Sequence, residues 1–274
     1  MRVFANIFLF IPSFFLSLHH QNDKPMIELL SKFDPITLEQ MSGVKLMNRT
    51  DTKFVTTVDR LRLLLEMAQG DYYIQEIDGE RNMAYDTTYF DTKSFDMYRQ
   101  HQYGHVNQQK IRFRTYVSSH LQFMEVKTKN NKGRTKKKRI EVTDMDVNDA
   151  VKREFLEKHL RYSVDTLQPA INNHFRRITL VNHDKTERLT IDSELRFHNL
   201  VSGIDKDMGD LVIIELKRDG LVYSPVLEML RQLRIHPHGF SKYCMGSALT
   251  NPELPVNRFK TKLRDVDIIM NIKH

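Results

Sequence analysis

The stretch KIRFRTYVSSHLQFMEVKTKNNKGRTKKKRIEV, from Lys110 to Val142, decides the fold. It reads as three consecutive strands. Ile111, Phe113 and Tyr116 give the first its β-prone apolar content, and Phe123, Met124 and Val126 the second. Ser118-Ser119-His120 and Asn130 to Gly133 supply the turns. Side chains alternate faces along a strand. Arg112 and Arg114 therefore share one face, while Ile111 and Phe113 take the other. Glu125, Lys127 and Lys129 lie opposite Met124 and Val126, and Lys137, Arg139 and Glu141 lie together in the third strand. One cationic face on one strand is ordinary solvated surface. Three neighbouring strands with rows of cations, and a carboxylate in two of the rows, repel one another unless an anion sits between them. Phosphates suit the forked donors of Arg and the point charge of Lys.

Upstream, Ile27 to Met41 has the apolar spacing of a helix with one buried face. Val44 to Thr57 follows as a strand with Arg49, Asp51 and Lys53 on one face. Asp59 to Gln69 is an amphipathic helix closed by Gly70. Tyr72 to Ile77 and Met83 to Phe90 are expected to form a hairpin about Asp78-Gly79, before a short helix from Ser94 to Tyr103. Downstream, Val147 to Arg161 is a charged outer helix. Strands at Ile171 to His183, Arg188 to Phe197 and Leu211 to Lys217 continue the charged faces, with Arg177, Arg188 and Glu215 among them. A helix from Ser224 to Leu233 precedes HPHGFSKYCMG, read as a loop.

The 274 residues suit one large domain with appendages. The net charge of +7 and a pI near 9.3 favour acidic ligands. A single cysteine, Cys244, excludes an internal disulfide and a cysteine-rich zinc site, and fits a reducing compartment. Residues 1–25 contain an apolar run from Val3 to Leu18 that resembles a signal-peptide core, without a convincing cleavage site. An exported leader and a start ahead of the true one at Met26 both stay open, and the segment is set aside from the fold. The expected tunnel domain is 26–250, and the tail 251–274 is expected as an appendage.

Several chemistries are absent. There is no G-x-x-x-x-G-K-[ST], no G-x-G-x-x-G and no G-x-S-x-G. With no tryptophan, nothing in the sequence resembles a stacking platform for bases, and nucleic acid is not the expected partner. His236-Pro237-His238 lacks a third ligand at suitable spacing and reads as a loop. About eight strands with charged faces cannot turn those faces toward a hydrophobic core. The expected class is α+β: a closed barrel of these strands, wide, wet and basic inside, with helices packed outside.

In order, RTDTKF, YFDT, KIRFRTY, MEVKTK, GRTKKKR, RLTID, IIELK and FSKY resemble the polyphosphate polymerase (VTC) domain of the vacuolar transporter chaperone. That domain is one of the CYTH-like triphosphate tunnel metalloenzymes, which also include phosphatases and adenylyl cyclases, and the fold it implies is a closed antiparallel eight-stranded β tunnel. The resemblance spans about Gly43 to Leu249, and its specificity lies in the ordered set. It implies transfer of the ATP γ-phosphate to a growing polyphosphate chain with Mn²⁺ or Mg²⁺, hence a cytoplasmic location, with a membrane-protein partner possible. By motif, Lys53, Arg112, Arg114, Lys127, Lys137, Arg177, Arg188 and Lys242 match the family's phosphate-handling cations, with Arg112, Arg114 and Lys127 on the nucleotide phosphates. Glu215 matches the metal-ligating glutamate, and Glu125 is placed to help hold the metal or to orient Lys127.

Two departures matter. The CYTH signature E-x-E-x-K is here Arg49-x-Asp51-x-Lys53, one carboxylate fewer, which favours the polymerase branch over triphosphatase and cyclase. No phosphate-sensing SPX domain or membrane bundle is evident in these residues. The alternatives are an inorganic or nucleoside triphosphatase, and a non-catalytic module binding polyphosphate or an RNA 5′ end.

Overall fold

The computed structural model describes residues 25–41, 49–132, 134–220 and 222–271. The leader up to residue 24, and the beginning of the strand expected from Val44, lie outside them. The main sheet is a path of eight strands, every neighbouring pair antiparallel. In spatial order they are β2 (Arg49–Thr57), β11 (Leu211–Asp219), β9 (Glu187–Asn199), β8 (Leu167–Asn182), β4 (Met83–Thr92), β5 (Gln108–Tyr116), β6 (Leu121–Lys129) and β7 (Thr135–Val142). Three short strands sit off this path: β1 (Pro35–Ile36), β3 (Tyr72–Gln75) and β10 (Asp205–Asp207).

β2 and β7 stand at the two ends of the path, and no backbone pairing joins them among the described residues. The expected closed tunnel is therefore a curled sheet with a seam. The composition of β7 gives the reason. Lys136, Lys137, Lys138 and Arg139 are all exposed, and a cationic edge strand discourages a further strand from pairing.

Alternation along these strands sorts the side chains as the sequence requires. The outer faces of β5 and β6 bury Ile111, Phe113, Met124 and Val126 with Leu156 of helix α5 (Ala150–His159). On the other side of the curl, Phe54, Ile178, Ile191, Ile214 and Leu216 pack with Leu61 and Leu65 of α3 (Val58–Ala68) and with Val226 and Leu230 of α6 (Pro225–Gln232). At ~25 cal/mol per Å² of apolar surface, these two outer cores hold the strands so that the charged inner faces need not.

The structure departs from the sequence reading in four places. Asp78 and Gly79 do turn tightly, both at positive φ, but close only the single bridge between Ile77 and Glu80. β3 and β4 do not pair with each other. Both lie along β8, β3 against Leu180–Asn182 and β4 against Leu167–Arg177. The helix expected over Ile27–Met41 is split into α1 (Met26–Leu30), β1 and α2 (Leu38–Met41). Pro35 drives its predecessor out of the helical region, and β1 then pairs parallel with β3. The supposed loop FSKYCMG opens helix α7 (Lys242–Thr250), capped where the Ser241 hydroxyl accepts from the Cys244 N–H. Finally, the tail does not hang free: Leu254, Phe259 and Val266, the last on α8 (Lys260–Asn271), join the core.

Helix α7 and the tail share a core with Ile171, Phe175, Leu195, Phe197 and Ile213, inner-face residues of β8, β9 and β11. There the inner face turns apolar and demands cover. The fit is close: a Cβ on Gly246 would fall 2.5 Å from Phe197 and 2.8 Å from Ile171. Helix α4 (Asp96–Gln102) adds Tyr98 to this core and Met97 to the one outside β5 and β6, its first N–H groups capped by the buried Asp91. Among the described residues, no helix is long and apolar enough to cross a membrane.

Candidate functional site

The inner face of the curl encloses a cavity of about 800 Å³. All ten residues singled out from the sequence line it: Lys53, Arg112, Arg114, Glu125, Lys127, Lys137, Arg177, Arg188, Glu215 and Lys242. Among the described lining residues, eleven are Lys or Arg and four are Asp or Glu, leaving seven positive charges in excess. Such a concentration of one sign focuses potential on an anion.

The β5–β6–β7 wall stacks like charges in register. Lys110 lies directly opposite Lys127, and Lys127 opposite Lys137. Directly opposed like charges destabilise a ladder. One row along, Arg112 and Arg139 flank Glu125. Arg112 holds one Glu125 oxygen, through Nε at 2.6 Å and a terminal nitrogen at 2.5 Å, and Lys137 Nζ holds the other at 2.9 Å. Burial works against ionising Glu125, yet Arg112, Arg114 and Lys137 outweigh it and hold the carboxyl well below its usual range. Lys127 is pushed well below its ordinary value, first by Arg112 and then by burial. Arg114 donates to the Thr87 hydroxyl at 3.1 Å, and its guanidinium carbon sits 5.4 Å from the ring centres of Tyr85 and Phe175.

The facing wall is built differently. Lys53, Glu215, Thr190 and Thr179 form one row across β2, β11, β9 and β8, and Asp51, Lys217 and Arg188 form the next. Lys53 Nζ lies 2.7 Å from one Glu215 oxygen, and Lys217 Nζ 3.8 Å from the other. Burial would raise Glu215, but Lys217 and Lys53 bring it down to about 2. Arg177 grips Asp192 with two bonds of 2.5 and 2.8 Å, and Lys242 of α7 pairs with the same carboxylate. Burial opposes the charge on Asp192 as well, and Arg177 and Lys242 override it.

The sequence reading missed four contributors. Asp192, Lys217 and Lys110 carry no assigned role in the sequence, and Lys129 stands there only as a member of its strand's cationic face. Asp192 becomes meaningful once β8 and β9 pair in register and set Arg177 opposite it. Lys217 shares its Glu-x-Lys spacing with Lys127, a signal that was there to be used.

The two glutamates differ in fitness for a cation. Both oxygens of Glu125 are engaged and the residue is 1% exposed, so it orients Arg112 and Lys137. Glu215 is ionised, its side chain is 22% exposed, and only Lys53 holds it closely. Asp51 faces the cavity from the neighbouring strand, one row away. No group of three or more His, Cys, Asp or Glu suited to a metal occurs among the described residues. A Mg²⁺-like cation does not need one, because it commonly takes one or two carboxylates and completes its shell with phosphate oxygens and water.

A family model, the VTC domain, matches residues 48–251. The chain belongs to the VTC domain family. No curated protein sequence matches this VTC domain. Among solved structures, a candidate adenylyl cyclase from Hippeastrum, described with a dominant triphosphatase activity, is similar at 13% identity. It covers 77% of this chain and 99% of that one, with a TM-score of 0.46. A candidate adenylate cyclase from Vibrio parahaemolyticus is similar at 11% identity, over 73% and 99%, with a TM-score of 0.44. One from Bacillus halodurans is similar at 15%, over 71% and 96%, also with 0.44.

Proposed function

We propose that this VTC domain is an enzyme that transfers the γ-phosphate of ATP onto a growing polyphosphate chain within the basic cavity. The observation that supports this most is the in-register row Lys110, Lys127 and Lys137, close enough to Glu215 that the carboxylate charge acts on Lys127. A row of lysines that repel one another when empty gains most from an anion carrying several charges along its length.

The chain's own residues supply positioning and charge, the main requirements of phosphoryl transfer. Glu125 fixes Arg112, and Thr87 fixes Arg114, so both forks are oriented before substrate arrives. Asp192 does the same for Arg177 and Lys242. The acceptor is a terminal phosphate, largely ionised at neutral pH, so no side chain must remove its proton. Glu215 would hold Mn²⁺ or Mg²⁺, and Asp51 faces the same cavity one row away. Such a cation, when bound, neutralises charge on the phosphate oxygens.

The test is to incubate the protein with ATP and Mn²⁺ and resolve the products on a gel. A ladder of polyphosphates is expected. Orthophosphate alone would make it a triphosphatase, and pyrophosphate with cyclic AMP a cyclase. Tight polyphosphate binding without turnover would make it a binding module.

A further inference from the structure

The cations of the cavity do not stop at its rim. Past the Lys110–Lys127–Lys137 row, β6 and β7 run into a turn closed between Asn130 and Arg134, where Asn130 N donates to the Arg134 carbonyl at 3.0 Å. Arg134 N donates back to the Asn130 side-chain oxygen at 2.9 Å. Lys129, Lys132, Arg134 and Lys136 are exposed on this hairpin, and none forms an ion pair with a described residue. Lys129 also lines the cavity, so lip and interior form one cationic track. The opposite ends of the same strands differ. β5 ends there in Tyr116, which packs its ring on Tyr85 at 4.9 Å and on Phe123 at 5.8 Å.

β5 runs from Gln108 to Tyr116, roughly 27 Å at about 3.4 Å per residue. A condensed phosphate chain longer than that must emerge from a mouth. One mouth continues the interior as a run of exposed cations, whereas at the other Tyr116 stands with the Asp51–Lys217–Arg188 row, where a carboxylate already lies among the cations. We propose that the β6–β7 hairpin is an outer polyanion site that holds a polyphosphate chain where it leaves the cavity. This rests on the reading of the cavity as the site of phosphate-chain handling. The continuity through Lys129 favours the same linear polyphosphate over a separate anionic surface such as a membrane or an RNA.

The experiment compares inorganic triphosphate with polyphosphate of about sixty units, binding each to wild type and to the triple variant Lys132→Ala, Arg134→Ala, Lys136→Ala. None of the three side chains lines the cavity. Wild type should bind the long chain at least ~10-fold more tightly, and the variant should lose most of that gain while keeping triphosphate affinity within about twofold. The salt dependence for the long chain should become shallower by about two to three counterions. Lys132→Arg with Lys136→Arg should retain the gain, which separates charge from any effect on the hairpin's fold. With ATP, the triple variant should make shorter products at an unchanged initial rate. Absence of any product would count against the polymerase reading alone, since the binding comparison still decides the lip. Persistence of the full length-dependent gain in the triple variant overturns the proposal. So does a variant that keeps the gain but loses binding to vesicles of anionic phospholipid.

Discussion

Two strands of this protein carry the same four-residue pattern, Met-Glu-Val-Lys in β6 and Ile-Glu-Leu-Lys in β11. In both, the apolar pair packs outward and the Glu-x-Lys pair faces the cavity. Their surroundings then part. Glu125 has an arginine opposite it on either side, is closed off from solvent, and spends both oxygens on Arg112 and Lys137. Glu215 has Lys53 on one side and a threonine on the other, and keeps an oxygen that Lys217 approaches only to 3.8 Å. The pattern fixes which face a carboxylate takes. Its cross-strand neighbours fix whether that carboxylate serves as a structural counter-charge or stays available to a ligand.

The largest contrast should appear in turnover. Glu215→Gln keeps the volume and removes the charge a hard divalent cation needs, so metal-dependent turnover should fall by at least ~1000-fold, about 4 kcal/mol. Thermal stability without ligand should drop less than in the matching Glu125 variant. Steady-state rates over a range of Mn²⁺ concentrations, with a melting curve, check both. Near-normal turnover at ordinary metal concentration would remove Glu215 from the reacting centre.

Glu125→Gln should show the reverse emphasis. It leaves Arg112 buried beside Arg114 and Lys127 without its counter-charge, a loss on the order of 3 kcal/mol in stability at neutral pH. The sign follows from linkage. A carboxyl whose folded value lies below its ordinary 4.5 contributes stability above that ordinary value, and loses it as acid carries the pH down toward the folded value. Denaturant midpoints from pH 7 downward should therefore fall in wild type and flatten in Glu125→Gln. A variant as stable as wild type, but dead in turnover, would dissolve the distinction between the two glutamates.

That distinction was only half legible in the sequence. Alternation in KIRFRTY, MEVKTK and IIELK was enough to put Arg112, Arg114, Glu125, Lys127 and Glu215 on one surface, because facing depends on residue parity alone. Who stands opposite whom depends on register, which long-range pairing sets. Arg177 and Asp192 meet across β8 and β9, and nothing local to either strand announces it. The same limit explains the supposed hairpin at Asp78-Gly79. The turn chemistry was sound, but a 16-residue β8 offered both flanking strands a longer partner than each other. Helix α7 was hidden for a different reason. KYCMGSALT is buried on nearly every side between the inner sheet and the tail, so it shows no amphipathic stripe to read.

The smallest effect concerns the lysines that accompany the two glutamates. Lys217 is brought down to about 8, first by burial and then by Arg177 and Arg188, with Glu215 offsetting part of it. Lys127 is also pushed well below its ordinary value, first by Arg112 and then by burial. A bound phosphate chain restores both charges, so each lysine takes up a proton on binding wherever the empty cavity left it neutral. Affinity for triphosphate should thus fall as the pH rises and steepen above about pH 8 as Lys217 loses its proton, by up to ~10-fold per pH unit for that site. The ligand's own last ionisation is common to wild type and a Lys217 variant and cancels between them. Stability of the empty protein should move oppositely: between about 8 and Lys217's ordinary 10.5 the unfolded chain binds more protons, so this contribution rises with pH. Lys217→Arg keeps a charge that does not titrate in this range. Titration calorimetry with inorganic triphosphate from pH 7 to 10 should show the added steepening in wild type and its absence in Lys217→Arg. Parallel curves for the two proteins would mean that Lys217 does not touch the anion, and that on this wall Glu215 and Lys53 meet it without their neighbour.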